Sequence, residues 1–238
     1  MTRNFLHNVE EKLVSVKLGS IILQAEIVLP EDSQGIVIFA HGSGSSCYNT
    51  RNRYLAHMLR QSGRMATILV DLLTKEEEAI DLRSAHFRNS INFLATRLVS
   101  ITDWLIDNSI TNNLKIGYFG DCVAGGAALL AAAQRPTVVE ALVARSGETC
   151  LTSKVLSYVQ APTLLIVGGC DISAITMNED AMTKIQTPKK QLEVIPGATY
   201  QFQEPGALDE VARLASCWFK YYLTSPHKQD LHLRAMSI

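Results

Sequence analysis

Short, mainly apolar runs of residues constrain the fold of this 238-residue chain more than any other feature. Such runs are typical of parallel strands buried on both faces of a sheet, because a half-exposed strand alternates apolar and polar residues. The segments between the runs are long enough to hold crossover helices. The runs predict strands at residues 36–40, 66–70, 114–119, 138–143, 163–167 and 192–195.

Two more strands are predicted before these runs. Residues 13–18 and 21–29 alternate in polarity around Gly19-Ser20, which is typical of an antiparallel hairpin, here placed at the edge of the sheet. The sequence thus predicts an α/β fold: an eight-stranded, mostly parallel sheet with helices on both faces. The intervals between strands leave no room for a separate lid domain. We therefore expect one domain over residues 1–238, with a polar tail from about residue 225.

The helices follow from apolar residues that recur every three or four positions. A capping box, Thr74-x-x-Glu77, opens an acidic segment that leads into one long helix of about 20 residues, in which the stripe runs from Ile91 to Leu105. The other predicted helices are 51–62, 123–133, 174–185 and 208–222. The last of these should bury Cys217 in the core.

The composition sets limits on function. A formal net charge of -1 gives no long-range field that would attract nucleic acid or anionic lipid, so we expect neither nucleic-acid nor membrane binding. Residues 1–10 lack the apolar run of a signal peptide, which predicts a cytoplasmic protein. The five cysteines are odd in number and show no CxxC spacing, so reduced thiols are expected rather than a disulfide framework.

Cys122 stands where an apolar strand runs into an alanine-rich helix. This is the layout of a nucleophile elbow, a sharp turn that needs small residues on both sides; here these are Gly120 and Ala124. The positive end of the helix favours the nucleophilic thiolate, whereas Asp121 opposes it by charge repulsion. The motif alone leaves open the alternative of a buried structural cysteine.

These residues resemble the dienelactone-hydrolase family of α/β-hydrolases, in which Ser or Cys occupies the elbow. The resemblance extends over nearly the whole chain, through segments 39–46, 71–74, 165–171 and 194–206. It implies an α/β-hydrolase fold and the hydrolysis of esters or lactones. The implied ligand is a small ester, lactone or carboxylate, with no cofactor and no metal.

The resemblance also implies a catalytic acid and a histidine on the loops after the seventh and eighth strands. Asp171 occupies the acid position, although an aspartate after glycines is also a common turn residue. The histidine position holds Tyr200. A phenol has a pKa of about 10, whereas imidazole titrates near 6.5, so tyrosine is a poor general base at neutral pH.

An oxyanion hole would use the backbone amide of Val123 together with one amide from the segment after the third strand. That segment comprises His41, Gly42, Ser43 and Gly44. His41 is also the best-placed alternative to the missing histidine, although its role in the family looks structural. Arg145, at the end of the sixth strand, could pair with an anionic ligand or form a structural salt bridge.

Two functions are consistent with these residues. The first is a dienelactone-hydrolase-like enzyme with Cys122 as nucleophile and an incomplete triad, whose activity is weak or altered. The second is an inactive protein of the same fold that binds a small ligand or a protein partner.

A third possible function is a thiol-rich pocket at the carboxyl edge of the predicted sheet. Its members would be the cysteines of the loops after four strands, with His41 beside them: Cys47, Cys122, Cys150 and Cys170. Their spacing shows no metal-ligand signature, which favours coincidence over a metal or redox site.

Overall fold

The computed structural model describes residues 11–41, 49–147, 149, 151 and 153–224. These residues contain an eight-stranded sheet, so the predicted number of strands is confirmed. The strands are β1 (Glu11–Leu18), β2 (Ile21–Val28), β3 (Gly35–His41), β4 (Met65–Asp71), β5 (Lys115–Asp121), β6 (Val139–Arg145), β7 (Thr163–Gly168) and β8 (Lys190–Ile195).

The strand order is β1-β2-β4-β3-β5-β6-β7-β8. β1 pairs with β2 and β2 with β4 in antiparallel fashion, whereas every other pair is parallel. The mostly parallel sheet is therefore confirmed. The expectation that both hairpin strands lie at the edge is wrong for β2, because its second side pairs with β4.

The helices are α1 (Thr50–Gln61), α2 (Lys75–Ser84), α3 (Ile91–Asp107), α4 (Val123–Gln134), α5 (Ser153–Ser157), α6 (Ile172–Lys184) and α7 (Ala207–Leu223). The short helix α5 was not predicted. Each of the helices at 51–62, 123–133, 174–185 and 208–222 was predicted to within two residues at both ends.

The segment between β4 and β5 differs from the prediction. The capping box at Thr74 begins a separate helix, α2, which ends at Ala85 in a left-handed conformation with φ of 52°. The buried carboxylate of Asp81 then accepts hydrogen bonds from the backbone amides of Phe87 and Arg88 and fixes the turn. α3 starts afresh after Ser90, whose side chain caps it. Two helices therefore fill an interval for which one long helix was expected.

Two apolar layers cover the sheet, as predicted. Leu98 of α3 and Leu129 of α4 belong to the buried cluster on one face, and Leu55 of α1 and Phe219 of α7 to that on the other. Cys217 is exposed, so its predicted burial is wrong. It lies two positions from the buried Phe219, about 200° around the helix. No helix in the described ranges is long and apolar enough to cross a membrane.

Candidate active site

Four adjacent strands end in titratable residues at the carboxyl edge of the sheet. In spatial order these residues are Asp71 on β4, His41 on β3, Asp121 on β5 and Arg145 on β6. The strand register pairs Asp71 with His41 and Asp121 with Arg145. We call these four residues the edge row. Sequence reasoning missed it as a unit; the signal was a titratable residue one or two positions after each of four apolar runs.

Cys122 follows the edge row on the turn from β5 to α4. Its backbone adopts φ of 50° and ψ of -122°, a conformation that non-glycine residues rarely hold. Such a residue stores about 1–3 kcal/mol of strain and persists only where the surroundings enforce it. One enforcing contact is the hydrogen bond from the Cys122 amide to the Arg145 carbonyl oxygen, at 3.1 Å. The structure thus has the sharp strand-to-helix turn that the sequence predicted.

The turn has no space for a side chain at Gly120. A Cβ atom there would lie 2.4 Å from the carbonyl oxygen of Ala124, closer than real Cβ contacts come. On the other side of the turn, a Cβ at Gly125 would lie 2.8 Å from the Cα atom of Gly147. The small residues around Cys122 are therefore required by close backbone approach on both sides.

The Cys122 thiol donates a hydrogen bond to Oδ1 of Asp121 at 3.3 Å. Asp121 in turn forms an ion pair with Arg145, through Nε at 3.3 Å and through a contact of Nη2 with Oδ2. The Arg145 side chain is only 3% exposed and lies over the ring of Phe202. Of the two uses predicted for Arg145, the structure shows the salt bridge.

His41 is partly buried between its neighbours of the edge row. Burial lowers the pKa of His41; the negative charges of Asp121 and Asp71 act against this, and the positive charge of Arg145 acts with it. Burial therefore favours the neutral ring, whose Nε2 atom lies 3.4 Å from Nδ2 of Asn49. Gly42, Ser43 and Gly44 lie outside the described residues, as do Cys47 and Cys150.

Val123 is the first residue of α4. The first amides of a helix have no intrahelical acceptor, and the Cys122 side chain does not cap them. These amides also carry the positive end of the helix dipole. The Val123 amide is thus a donor of the kind that an oxyanion hole uses, directly beside the thiol.

Asp171 begins α6 as its N-cap residue. Its Oδ1 atom accepts hydrogen bonds from the Ala174 amide at 3.1 Å and from the Ser173 hydroxyl at 3.0 Å. The Tyr200 side chain is half exposed, and its phenol oxygen accepts from Nε2 of Gln201 at 2.7 Å. In the part of the chain that is described, the Asp171 carboxylate and the Tyr200 phenol are not hydrogen-bonded to each other.

The loops that carry Asp171 and Tyr200 nevertheless pack side by side. The Cys170 amide donates to the Ala198 carbonyl oxygen at 2.9 Å, and Ser146, which follows Arg145, places its hydroxyl 3.4 Å from the Tyr200 carbonyl oxygen. The loops after β6, β7 and β8 therefore meet at the edge that carries Cys122. No group of three or more His, Cys, Asp or Glu residues is placed to hold a metal ion among the residues described.

A mostly parallel eight-stranded sheet with a strained cysteine turn between β5 and α4 defines an α/β-hydrolase. Solved structures agree with this class. A dienelactone hydrolase from Anabaena variabilis is 55% identical, with a TM-score of 0.88, over 91% of this chain and 100% of that one. This chain belongs to the dienelactone hydrolase family.

More distant structures share the fold. A dienelactone hydrolase-like promiscuous phosphotriesterase from metagenomic libraries is 16% identical, with a TM-score of 0.73, over 90% of this chain and 99% of that one. Two curated proteins from strains of Mycobacterium tuberculosis, provisionally named phosphoribosyl transferases, are 46% identical over 213 residues, which is 90% of this chain. The chain spans 47% of their length. No protein-family model matches the sequence.

Proposed function

We propose that this chain hydrolyses small esters or lactones with Cys122 as the nucleophile, and that its turnover is weak or altered. The observation that carries the proposal is the backbone of Cys122, a non-glycine residue held at φ of 50° at the amino terminus of α4. Backbone strain of this kind clusters at active sites, where it presents a reactive side chain. A cysteine that served only to fill the core would not require this conformation.

In the proposed reaction, the Cys122 thiolate adds to the substrate carbonyl carbon, and the Val123 amide donates to the oxygen that becomes negative. The carbon–oxygen bond to the leaving group then breaks, which releases the alcohol and leaves a thioester on Cys122. Water hydrolyses this thioester to a carboxylic acid and restores the thiol. The proton of the resting thiol passes to solvent in this scheme, because position 200 offers no imidazole nitrogen to accept it.

The weak turnover follows from Tyr200, which stands where the family resemblance implies the histidine of the triad. Removing one triad member costs several powers of ten in rate, and oxyanion stabilisation and binding leave a residual of about 10³–10⁴ over water. Asp171 keeps the acid position of the family, but its Oδ1 atom caps α6. Neither Tyr200 nor Asp171 therefore supplies the base that acyl transfer at neutral pH requires.

The second candidate function is binding without turnover, by a protein of hydrolase descent. The bonds of Tyr200 to Gln201 and of Asp171 to Ala174 favour it, because both side chains are engaged locally rather than with each other. The ligand would be the same small ester, lactone or carboxylate. The activity in the mycobacterial relatives' name is not carried over to this chain, which spans only 47% of their length and folds as a hydrolase.

The test is hydrolysis of p-nitrophenyl acetate by the wild-type chain and by Cys122→Ala and Cys122→Ser. Cys217→Ser is the matched control, since Cys217 is exposed on α7 and remote in sequence from the elbow. Turnover that survives Cys217→Ser and disappears in Cys122→Ala supports the enzyme. Absence of turnover in the wild-type chain contradicts the proposal and favours the binding protein. Turnover that persists in Cys122→Ala contradicts the role of Cys122 as the nucleophile.

A further inference from the structure

The immediate neighbour of the Cys122 thiol is a carboxylate. Oδ1 of Asp121 accepts the thiol hydrogen at 3.3 Å, and the Asp121 side chain is only 16% exposed. A hydrogen bond from the thiol to an acceptor stabilises the protonated sulfur, and a nearby negative charge opposes its ionisation. Both effects disfavour the thiolate, which is the reactive form of cysteine.

Arg145 acts against this carboxylate. Its guanidinium pairs with Asp121 through Nε and Nη2, while its Nη1 atom is buried and has no hydrogen-bond partner among the described residues. The carbonyl oxygen of Arg145 also accepts from the Cys122 amide. One residue thus supports the strained backbone of Cys122 and offsets the charge beside its sulfur.

Other strands and helix α4 also contribute titratable groups or partial charges near the thiol. Burial lowers the pKa of His41 on β3 and so favours its neutral ring, and Asp71 on β4 lies beyond it in the edge row. The positive end of α4 favours the thiolate. The Asp121 carboxylate is hydrogen-bonded to the sulfur itself, so we expect its charge to contribute strongly to this balance.

We propose that Asp121 holds Cys122 in the protonated thiol form and that Arg145 limits this effect, so that the ion pair sets the reactivity of the thiol. Asp121 and Arg145 are then positioning residues that act through Cys122. The inference rests on the proposed function only in taking Cys122 as the reactive group. Its test measures alkylation of the thiol and not ester turnover, so the two can fail separately.

The experiment measures the rate at which iodoacetamide alkylates Cys122, by mass spectrometry of the peptide that contains it. The rate is followed from about pH 5.5 to about pH 9.5, a range that includes the ordinary thiol pKa of about 8.5. Cys217 is an internal control, because it is exposed on α7 and reports any general change in the protein or reagent.

Asp121→Asn keeps the shape of the side chain and removes its charge. We expect Cys122 to react about 3- to 10-fold faster at pH 7, with the midpoint of the pH profile lower by about one unit; the lower intrinsic nucleophilicity of a more acidic thiol offsets part of the gain. Arg145→Met should produce the opposite shift. Arg145→Lys, which retains the charge, should restore a midpoint closer to that of the wild-type chain than Arg145→Met does.

An unchanged or slower rate at Cys122 in Asp121→Asn would overturn the inference, as would an equal acceleration at Cys217. Because Arg145 is buried, its Met variant risks misfolding, and Asp121→Ser then provides the second test, since it also removes the negative charge. A faster thiol in both Asp121 variants supports the inference even if the wild-type chain hydrolyses no ester.

Discussion

Tyr200 is the residue at which this chain departs from the triad that its family resemblance implies. Replacing it by histidine places an imidazole on the loop after β8, which packs against the loop that carries Asp171. We expect Tyr200→His to raise kcat/KM for p-nitrophenyl acetate at pH 7 by about 10- to 100-fold. This gain lies at or below the lower limit of the roughly 10²- to 10⁴-fold that a general base supplies, because the Asp171 carboxylate that would orient the ring is engaged in capping α6.

The control for this gain is Tyr221→His. It makes the same chemical change at a tyrosine that is 68% exposed on α7, so it tests whether any added surface imidazole hydrolyses the substrate. The double variant Tyr200→His with Cys122→Ala should lose the gain. Equal rates in Tyr200→His and the wild-type chain would show that the site lacks more than a base.

His41 should make the free energy of unfolding depend on pH. Because burial lowers its pKa in the folded chain, folding favours the neutral ring. The stabilisation by neutral His41 is fully present above the unfolded-state pKa of about 6.5, and it is lost as the pH falls through the lower folded-state value. The free energy of unfolding of the wild-type chain should therefore decline, on acidification below about pH 6.5, relative to that of His41→Gln, whose side chain remains neutral.

Urea unfolding of both chains at several pH values checks this prediction. The comparison cancels the carboxylates that titrate in both proteins. His57→Gln is the matched control, since His57 is exposed on α1 and hydrogen-bonded to Gln61. A wild-type chain that gains stability relative to His41→Gln on acidification would show that Asp71 and Asp121 outweigh burial at this ring.

At the scale of elements, the central strands β3 to β7 were predictable because burial on both faces leaves a local signal, a mainly apolar run. The break between α2 and α3 was not, because it depends on the buried carboxylate of Asp81 bonding to amides six and seven residues later. The pairing of β2 with β4 was also inaccessible, since an alternating strand shows one buried face but not its lateral neighbours.

Part of the candidate site was likewise predictable from the sequence, and part was not. The turn at Cys122 was predictable, because a small-residue pattern between a strand and a helix is local. The edge row was not, because the pairing of Asp121 with Arg145 requires the order and register of β5 and β6. The sequence indicates only that Asp171 can be a turn residue. The hydrogen bond that its carboxylate accepts from the Ala174 amide shows that it caps α6.

The capping box at the start of α2 should stabilise the folded chain. The Thr74 hydroxyl accepts from the Glu77 amide at 3.3 Å, and the Glu77 carboxylate accepts from the Thr74 amide at 2.9 Å. Thr74→Ala should therefore lower the free energy of unfolding by about 1 kcal/mol. Thr96→Ala is the control in urea unfolding, because Thr96 is exposed within α3 and caps nothing. Equal effects of the two substitutions would contradict a stabilising role for the cap.

At the scale of the whole molecule, one sheet carries two apolar layers, and α7 is a principal part of the second. The buried ring of Phe219 lies against Gly117 of β5, where an added Cβ would come within 2.9 Å of it. Phe219→Ala should lower the free energy of unfolding by about 3–5 kcal/mol through lost burial and the cavity left behind. Tyr221→Ala, on the exposed side of the same helix, should cost far less.

The two tryptophans of the chain extend this test to the number of domains. Trp104 packs against the apolar layer of α3 and α4, and Trp218 against the layer of α1 and α7, so their fluorescence reports opposite faces of the sheet. In Trp104→Phe and Trp218→Phe variants, each with and without Phe219→Ala, the remaining tryptophan follows one face during urea unfolding. In one domain, Phe219→Ala must shift the midpoint of both reporters equally, because every central strand belongs to both layers. A shift confined to Trp218 would show that the second layer unfolds as a separate unit.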